Sequence, residues 1–255
     1  MRPSSPTAAA LALLAAIAAG APAVRASQAD DAKRYENCMA MARSKPDEGL
    51  EEALAWQSLG GGEPAEDCAA VALIGQGKYT DAAARLEKLA AASKQGADIR
   101  AGMLQQAAQA WLMAGKTERA DAVQRTALTL APGNVEILLD HALTMAEVHH
   151  YKEAVDDLTQ VVSKQPDRVE AYTMRASAYR YLNNTAAAQA DVDRALTLDP
   201  GSPSALVERG ILRRLKGDNA GAREDWLKVV ETVPGGPALD DARKNLELLD
   251  VNTKQ

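Results

Sequence analysis

The chain has 255 residues and a formal net charge of −6 at neutral pH, with two cysteines and no phenylalanine. An acidic chain without a block of lysine and arginine lacks the positive patch that binds nucleic acid or anionic membrane, so we expect neither partner. The abundance of alanine, leucine and charged residues favours an all-helical protein.

Residues 1–26 have the pattern of a secretory signal peptide. Arg2 precedes an apolar run, and small residues follow it, which predicts cleavage after Ala26 or, alternatively, after Ala23. The run is too short for a spanning helix of about 20 residues, so we expect a mature chain that is not inserted in the membrane. Export across the inner membrane to a bacterial periplasm follows from this interpretation. The alternative is an uncleaved N-terminal anchor.

The remainder of the chain is dominated by internal repetition with a period of 34 residues. Three columns keep this period: Pro132, Pro166, Pro200 and Pro234; Ala120, Ala154, Ala188 and Ala222; and Ala108, Ala142, Ala176 and Gly210. Small residues let two helices approach closely, and proline ends a helix. Each unit is therefore predicted to be a pair of short helices.

Two further columns describe the inside of each unit. The turn between the helices is predicted at residues that tolerate left-handed backbone, namely Gly115, His149, Asn183 and Gly217. The second helix carries an apolar position at Leu158, Val192 and Trp226, where the first of the four units has the polar Gln124.

The period and the pattern Tyr172, Ala176, Tyr179, Ala188, Ala195 and Pro200 closely resemble the tetratricopeptide repeat. This resemblance implies an all-α, right-handed α-solenoid of antiparallel helix pairs. Its expected parts are a degenerate helix pair that caps the array at 27–62, a looser unit at 63–100, regular units at 101–134, 135–168, 169–202 and 203–236, and a capping helix with tail at 237–255. Four extra residues before Ala101 predict a longer second helix or a longer linker in the looser unit.

The resemblance also implies that the two cysteines lie close together. Cys38 and Cys68 fall at nearly the same place on successive first helices, which pack side by side in this family. Together with export to an oxidising compartment, this predicts a Cys38–Cys68 disulfide, worth about 3.5 kcal/mol in the chain-entropy model. The alternative is a pair of buried free thiols.

Charged columns predict ion pairs between neighbouring repeats. Asp157, Asp191 and Asp225 share a column on the second helices, and Arg175, Arg209 and Arg243 follow them by 18 residues. Where the acidic column reads Val123, the basic column reads His141, so the acid and the base are lost together. We therefore predict the pairs Asp157–Arg175, Asp191–Arg209 and Asp225–Arg243. The alternative is two independent solvent-facing stripes.

No pattern in the chain predicts catalysis. His141, His149 and His150 are the only histidines, and no cysteine or second histidine lies at the spacing of a metal site. We find no nucleophile, phosphate loop or cofactor motif, so no enzyme activity, metal or cofactor is expected.

In the resembling family the first helices line a concave groove that accepts an extended peptide or a partner helix. Carried over to this sequence, the candidate positions are Gln105, Gln109, Leu112, Leu139, Leu143, Glu147, Thr173, Ser177, Arg180, Tyr181, Val207, Ile211 and Arg214. The alternative for each is packing against a neighbouring helix. The lysine and asparagine set by which chaperone-binding members hold a peptide carboxylate is missing from these columns.

These patterns predict an exported, non-catalytic scaffold or adaptor for cell-envelope assembly or export, whose partner is another protein or an extended peptide. The alternatives are a periplasmic solute-binding or lipid-binding protein, which would need a deep enclosed cavity, and an enzyme or an accessory subunit of one.

Overall fold

The computed structural model describes the backbone of residues 21–252 and the side chains of residues 30–251. Residues 1–20 of the predicted signal peptide lie outside this part of the chain. Every regular element within residues 21–252 is an α-helix. The chain forms two compact units, which comprise the residues up to 77 and those from 78 onwards.

Within residues 21–77 the first unit contains three helices, α1 (Ala21–Ser44), α2 (Pro46–Ser58) and α3 (Gly62–Gly75). Helix α2 opens with Pro46, which needs no backbone donor at that position, and has Asp47 in its first turn, where the helix dipole favours a negative charge. The three helices pack around a small core that includes Ala42, Ala53 and Trp56. The predicted cleavage sites both fall within α1.

The second unit contains ten helices within the described residues. Their bounds are α4 (Tyr79–Ala92), α5 (Ala97–Met113), α6 (Thr117–Leu130), α7 (Val135–Glu147), α8 (Tyr151–Lys164), α9 (Val169–Tyr181), α10 (Thr185–Leu198), α11 (Pro203–Leu215), α12 (Asn219–Thr232) and α13 (Pro237–Asn252). Helices α5 to α12 form four antiparallel pairs, one in each 34-residue unit, and α13 follows the last pair. Each second helix in these pairs ends two residues before the recurring proline.

The four extra residues before Ala101 were expected in α4 or in the linker after it, and both expectations are wrong. Helix α4 has 14 residues, the same length as α6. The added residues instead extend α5 to 17 residues, whereas α7 has 13. The segment 97–100 contains no proline or glycine, and Asp98 stabilises the first helical turn, so this segment continues the helix N-terminally.

The turns inside the four pairs adopt the predicted left-handed backbone. His149 and Asn183 have φ of 62° and 58°, and the glycines at the equivalent positions 115 and 217 have φ of 67° and 86°. The backbone therefore repeats its geometry at this column even where the residue is not glycine.

The small-residue columns form the contact between the helices of each pair. All their alanines are buried, with at most 1% of each exposed. Gly210 replaces alanine in the last pair, and a Cβ atom there would lie 2.3 Å from Nε1 of Trp226. The larger Trp226 thus occupies the space that alanine fills in the other pairs.

No helix within residues 21–252 is both long enough and apolar enough to cross a membrane.

Candidate functional site

Cys38 and Cys68 form a disulfide between α1 and α3 in the first unit. Both cysteines are completely buried, and their Cα atoms are 6.1 Å apart, within the usual range. Beside this bond, the Tyr35 hydroxyl donates a hydrogen bond to Asp67. Burial of Tyr35 and the neighbouring Asp67 carboxylate both raise the tyrosine pKa above its ordinary value.

The charged columns pair within repeats, so the predicted pairing between repeats is wrong. Arg175 donates two hydrogen bonds of 2.8 Å to Asp191, and both residues belong to the α9–α10 pair. Arg209 is likewise bidentate to Asp225 in the α11–α12 pair, at 3.0 and 2.6 Å. These contacts contradict the predicted pairs Asp157–Arg175, Asp191–Arg209 and Asp225–Arg243.

The reason is the geometry of an antiparallel helix pair. Residues at equal distances from the turn lie side by side, and Arg175 and Asp191 are each eight residues from Asn183. In the α5–α6 pair the same two positions are Ala107 and Val123, so acid and base are absent together from one repeat. Arg243 lies exposed on α13.

His141 occupies the basic position of the α7–α8 pair. Its Nδ1 lies 2.6 Å from Asp157 and its Nε2 lies 2.9 Å from Asp121, while only 4% of the residue is exposed. Burial alone would lower the pKa of His141, but the hydrogen bonds to the two carboxylates outweigh it and raise the pKa. In the protonated ring each nitrogen can donate to one carboxylate, and these two contacts favour the charged form.

The groove candidates on α5 and α7 differ in their contacts and in their burial. Gln105 and Gln109 both donate hydrogen bonds to Asp140, at 2.7 and 3.1 Å. Leu139 is 4% exposed and packs in the core with Leu158. Leu139 is therefore largely buried, which agrees with the alternative of packing against a neighbouring helix. The remaining three candidates differ in exposure: Leu112 is half-buried, whereas Leu143 and Glu147 are exposed.

The C-terminal candidates do lie together. A groove of about 460 Å³ is formed by α9, α11 and α13, and all seven predicted residues of α9 and α11 line it. They are Thr173, Ser177, Arg180, Tyr181, Val207, Ile211 and Arg214. Thr173 and Val207 are largely buried at 8% and 6% exposure, whereas Tyr181 is 54% exposed. We call this space the C-terminal groove.

The sequence analysis missed the wall that α13 contributes to the C-terminal groove. This wall includes Asp241, Lys244, Asn245 and Leu248. Three of them follow Val207, Ile211 and Arg214 by one 34-residue period. Extending the groove columns by one more period would have found these three residues.

A charged pair crosses the C-terminal groove. Arg180 Nε lies 2.5 Å from Glu208, its Nη2 donates to Ser177, and its guanidinium lies 4.4 Å from the centre of the Tyr181 ring. Glu208 is 5% exposed, and this burial raises its carboxyl pKa despite the opposing effect of Arg180. Arg180 is thus held by protein partners.

Tyr181 lines the C-terminal groove and belongs to an aromatic stack. The Tyr181 ring stacks on Tyr151 with centroids 4.5 Å apart and planes 4° from parallel. The Tyr151 hydroxyl lies 2.7 Å from Nδ1 of His149, in the turn before α8. This stack fixes an exposed aromatic face beside the groove.

Comparison with known proteins identifies the family of this fold. The model of the tetratricopeptide repeat family matches residues 173–237, which carry much of the C-terminal groove. Together with the repeated helix pairs, this match decides the assignment. The chain is a tetratricopeptide repeat (TPR) protein.

Relatives of this TPR protein match it over part of their length. Tetratricopeptide repeat protein 36 of Mus musculus is 36% identical over 109 residues, which are 41% of this chain and 56% of that protein. The Hsp70-Hsp90 organizing protein of Triticum aestivum is 30% identical over 89 residues, covering 35% of this chain and 15% of its own length. The chain spans little more than half the length of the first relative.

Solved structures share the fold. MamA from Desulfovibrio magneticus RS-1 has a TM-score of 0.57 at 22% identity, covering 70% of this chain and 93% of that one. YrrB, described as a TPR protein with an unusual peptide-binding site, has a TM-score of 0.56 at 17% identity, with coverage of 72% and 94%.

The part of the chain with described side chains contains no cluster of three or more histidine, cysteine, aspartate or glutamate residues that could hold a metal ion.

Proposed function

We propose that this TPR protein is an exported, non-catalytic scaffold that binds an extended segment of a partner protein in the C-terminal groove. The observation that carries this proposal is the groove itself, whose partly apolar walls come from α9, α11 and α13. Such a surface suits a peptide in extended or helical form, because its side chains can alternate between pockets and solvent.

The shape of the C-terminal groove favours a peptide over an enclosed small molecule. Tyr181 and Leu248 are 54% and 45% exposed on its rim, so the groove is open to solvent. A solute or lipid would need its apolar surface covered on most sides. The peptide-binding site named for YrrB, which has the same fold, adds support to this choice.

Two features support the exported location. One is the signal-like pattern of residues 1–26, and the other is the buried Cys38–Cys68 disulfide, a bond typical of oxidising compartments. A place in envelope assembly or export is the corresponding role for a repeat scaffold in that location.

Site-specific photo-crosslinking in the native cells tests the binding role. A photoreactive residue at Ile211 should capture a discrete partner, whereas the same residue at the exposed Lys228 on α12 should not. Equal products at both positions, or none at Ile211, would overturn the assignment of function to the C-terminal groove.

Cell fractionation with N-terminal sequencing tests the location separately. A periplasmic chain that begins after residue 23 or 26, and that resists thiol alkylation until it is reduced, is the expected result. A cytoplasmic chain that retains residues 1–26 and has two alkylated cysteines would overturn export.

A further inference from the structure

Arg214 has an unsatisfied donor in the C-terminal groove. Its Nε is buried and has no hydrogen-bond acceptor among the described residues. A buried, charged donor without an acceptor costs free energy, so the Arg214 guanidinium has hydrogen-bonding capacity that the described residues leave unused. Arg180, in the same column one repeat earlier, already has Glu208 as its acceptor.

The remaining charges of the groove also favour an anionic ligand. Its lining holds Arg180, Arg214 and Lys244 against Glu208 and Asp241, a net charge of +1. Arg180 and Glu208 neutralise each other, which leaves Arg214 and the exposed Lys244 facing a single acid, Asp241. This lining is positive although the whole chain has a net charge of −6.

Apolar groups lie beside these cations. Ile211 is half-buried one helical turn before Arg214, and Leu248 is 45% exposed one turn after Lys244. A ligand that meets Arg214 therefore also meets apolar surface, which is costly to leave in water.

We propose that the C-terminal groove selects a peptide in which a carboxylate lies next to an apolar side chain. The carboxylate accepts hydrogen bonds from Arg214 and Lys244, and the apolar side chain packs on Ile211 and Leu248. This rests on the proposed function and adds the chemistry of the ligand. The lysine and asparagine set expected for carboxylate binding is missing from the first-helix columns, and here Arg214 with the capping-helix Lys244 supplies the charge instead.

Panning a phage library of random dodecapeptides against the full mature chain tests this specificity. Peptides from the unmodified protein should be enriched in aspartate or glutamate beside leucine, isoleucine or valine. The variants Arg214→Gln and Lys244→Gln should lose the acidic enrichment. Lys228→Gln on α12 removes the same charge outside the groove and should retain it.

The affinities of one selected peptide provide the quantitative readout. Arg214→Gln and Lys244→Gln should each weaken binding roughly tenfold in fluorescence anisotropy, and Lys228→Gln should leave it nearly unchanged. Lys244 is exposed, so its variant keeps the test valid if Arg214→Gln unfolds. Peptides made with a free or an amidated C-terminus distinguish a terminal carboxylate from a side-chain carboxylate.

The outcomes separate the two proposals. Peptides that bind the groove without acidic enrichment, and with affinities unchanged by both groove variants, would overturn the carboxylate specificity and leave the groove as a peptide site. Peptides whose binding also ignores bulky substitutions at Ile211 and Ser177 would overturn both proposals.

Discussion

Gln124 is completely buried on α6, and neither its amide nitrogen nor its amide oxygen has a hydrogen-bond partner among the described residues. The equivalent residues in the other repeats are Leu158, Val192 and Trp226. A buried amide without partners loses its hydrogen bonds to water and forms no others, so Gln124 lowers the stability of the folded protein.

Gln124→Leu should therefore stabilise the protein. We expect the free energy of unfolding to rise by about 1–3 kcal/mol in urea denaturation, because leucine has similar volume and no polar atoms. Gln106→Leu, at an exposed position on α5, is the matched control and should have little effect. A less stable Gln124→Leu protein would mean that the amide has partners in solution.

His141 should make stability depend on pH. Its folded-state pKa is raised above the ordinary value of about 6.5, so its contribution is complete below that value and is lost as pH rises through the folded pKa. Asp121 and Asp157 favour the charged ring, and the nearby Arg125 opposes it.

His141→Arg is the matched variant, since arginine occupies this position in the next two repeats. Denaturation curves measured between about pH 6 and pH 9 should show that the unmodified protein loses stability relative to this variant as pH rises. Parallel curves for the two proteins would show that His141 is not the titrating group.

At the level of helix pairs, the ion pairs connect the two helices of one repeat. The side chains of Arg175 and Asp191 are only 14% and 8% exposed, so water screens their attraction little. The partial burial also makes loss of a single partner costly.

A double-mutant cycle distinguishes the pairing within repeats from pairing between them. Arg175→Met with Asp191→Asn should show a coupling energy of about 1–3 kcal/mol in thermal or urea unfolding. Asp191→Asn with Arg209→Met should show almost none. The reverse result would contradict the observed contacts and restore the pairing predicted from sequence.

Gly210 and Trp226 illustrate size compensation between two helices. Alanine at position 210 would gain about 1 kcal/mol of helix propensity, but its Cβ would overlap the rigid, buried indole of Trp226. We expect Gly210→Ala to lower the unfolding free energy by about 1–2 kcal/mol. The same change in a Trp226→Leu background should stabilise relative to Trp226→Leu alone, and a loss in both backgrounds would refute the steric explanation.

Sequence patterns predicted the helix pairs well because their signals are local. Proline ends, small contact residues and left-handed turns each depend on a few neighbouring positions. The pairing of the charged columns was predicted wrongly, because an aspartate lies 16 residues after one arginine and 18 residues before the next. Only the antiparallel arrangement of the helices about Asn183 shows that the residues 16 apart are in contact.

For the whole molecule, the same period predicted seven residues of the C-terminal groove and missed its third wall. Helix α13 was interpreted as a cap, although Asp241, Asn245 and Leu248 continue the groove columns. Leu139 falls in the same column as Thr173 and Val207 and is likewise largely buried.

The central claim is that peptide binding occurs in the C-terminal groove. Hydrogen–deuterium exchange of the full chain, with and without a library-selected peptide, tests it most directly. The account predicts slower exchange in α9, α11 and α13 and little change in α5 and α6. Protection confined to the earlier repeats, or unchanged exchange in those three helices with the peptide bound, would contradict it.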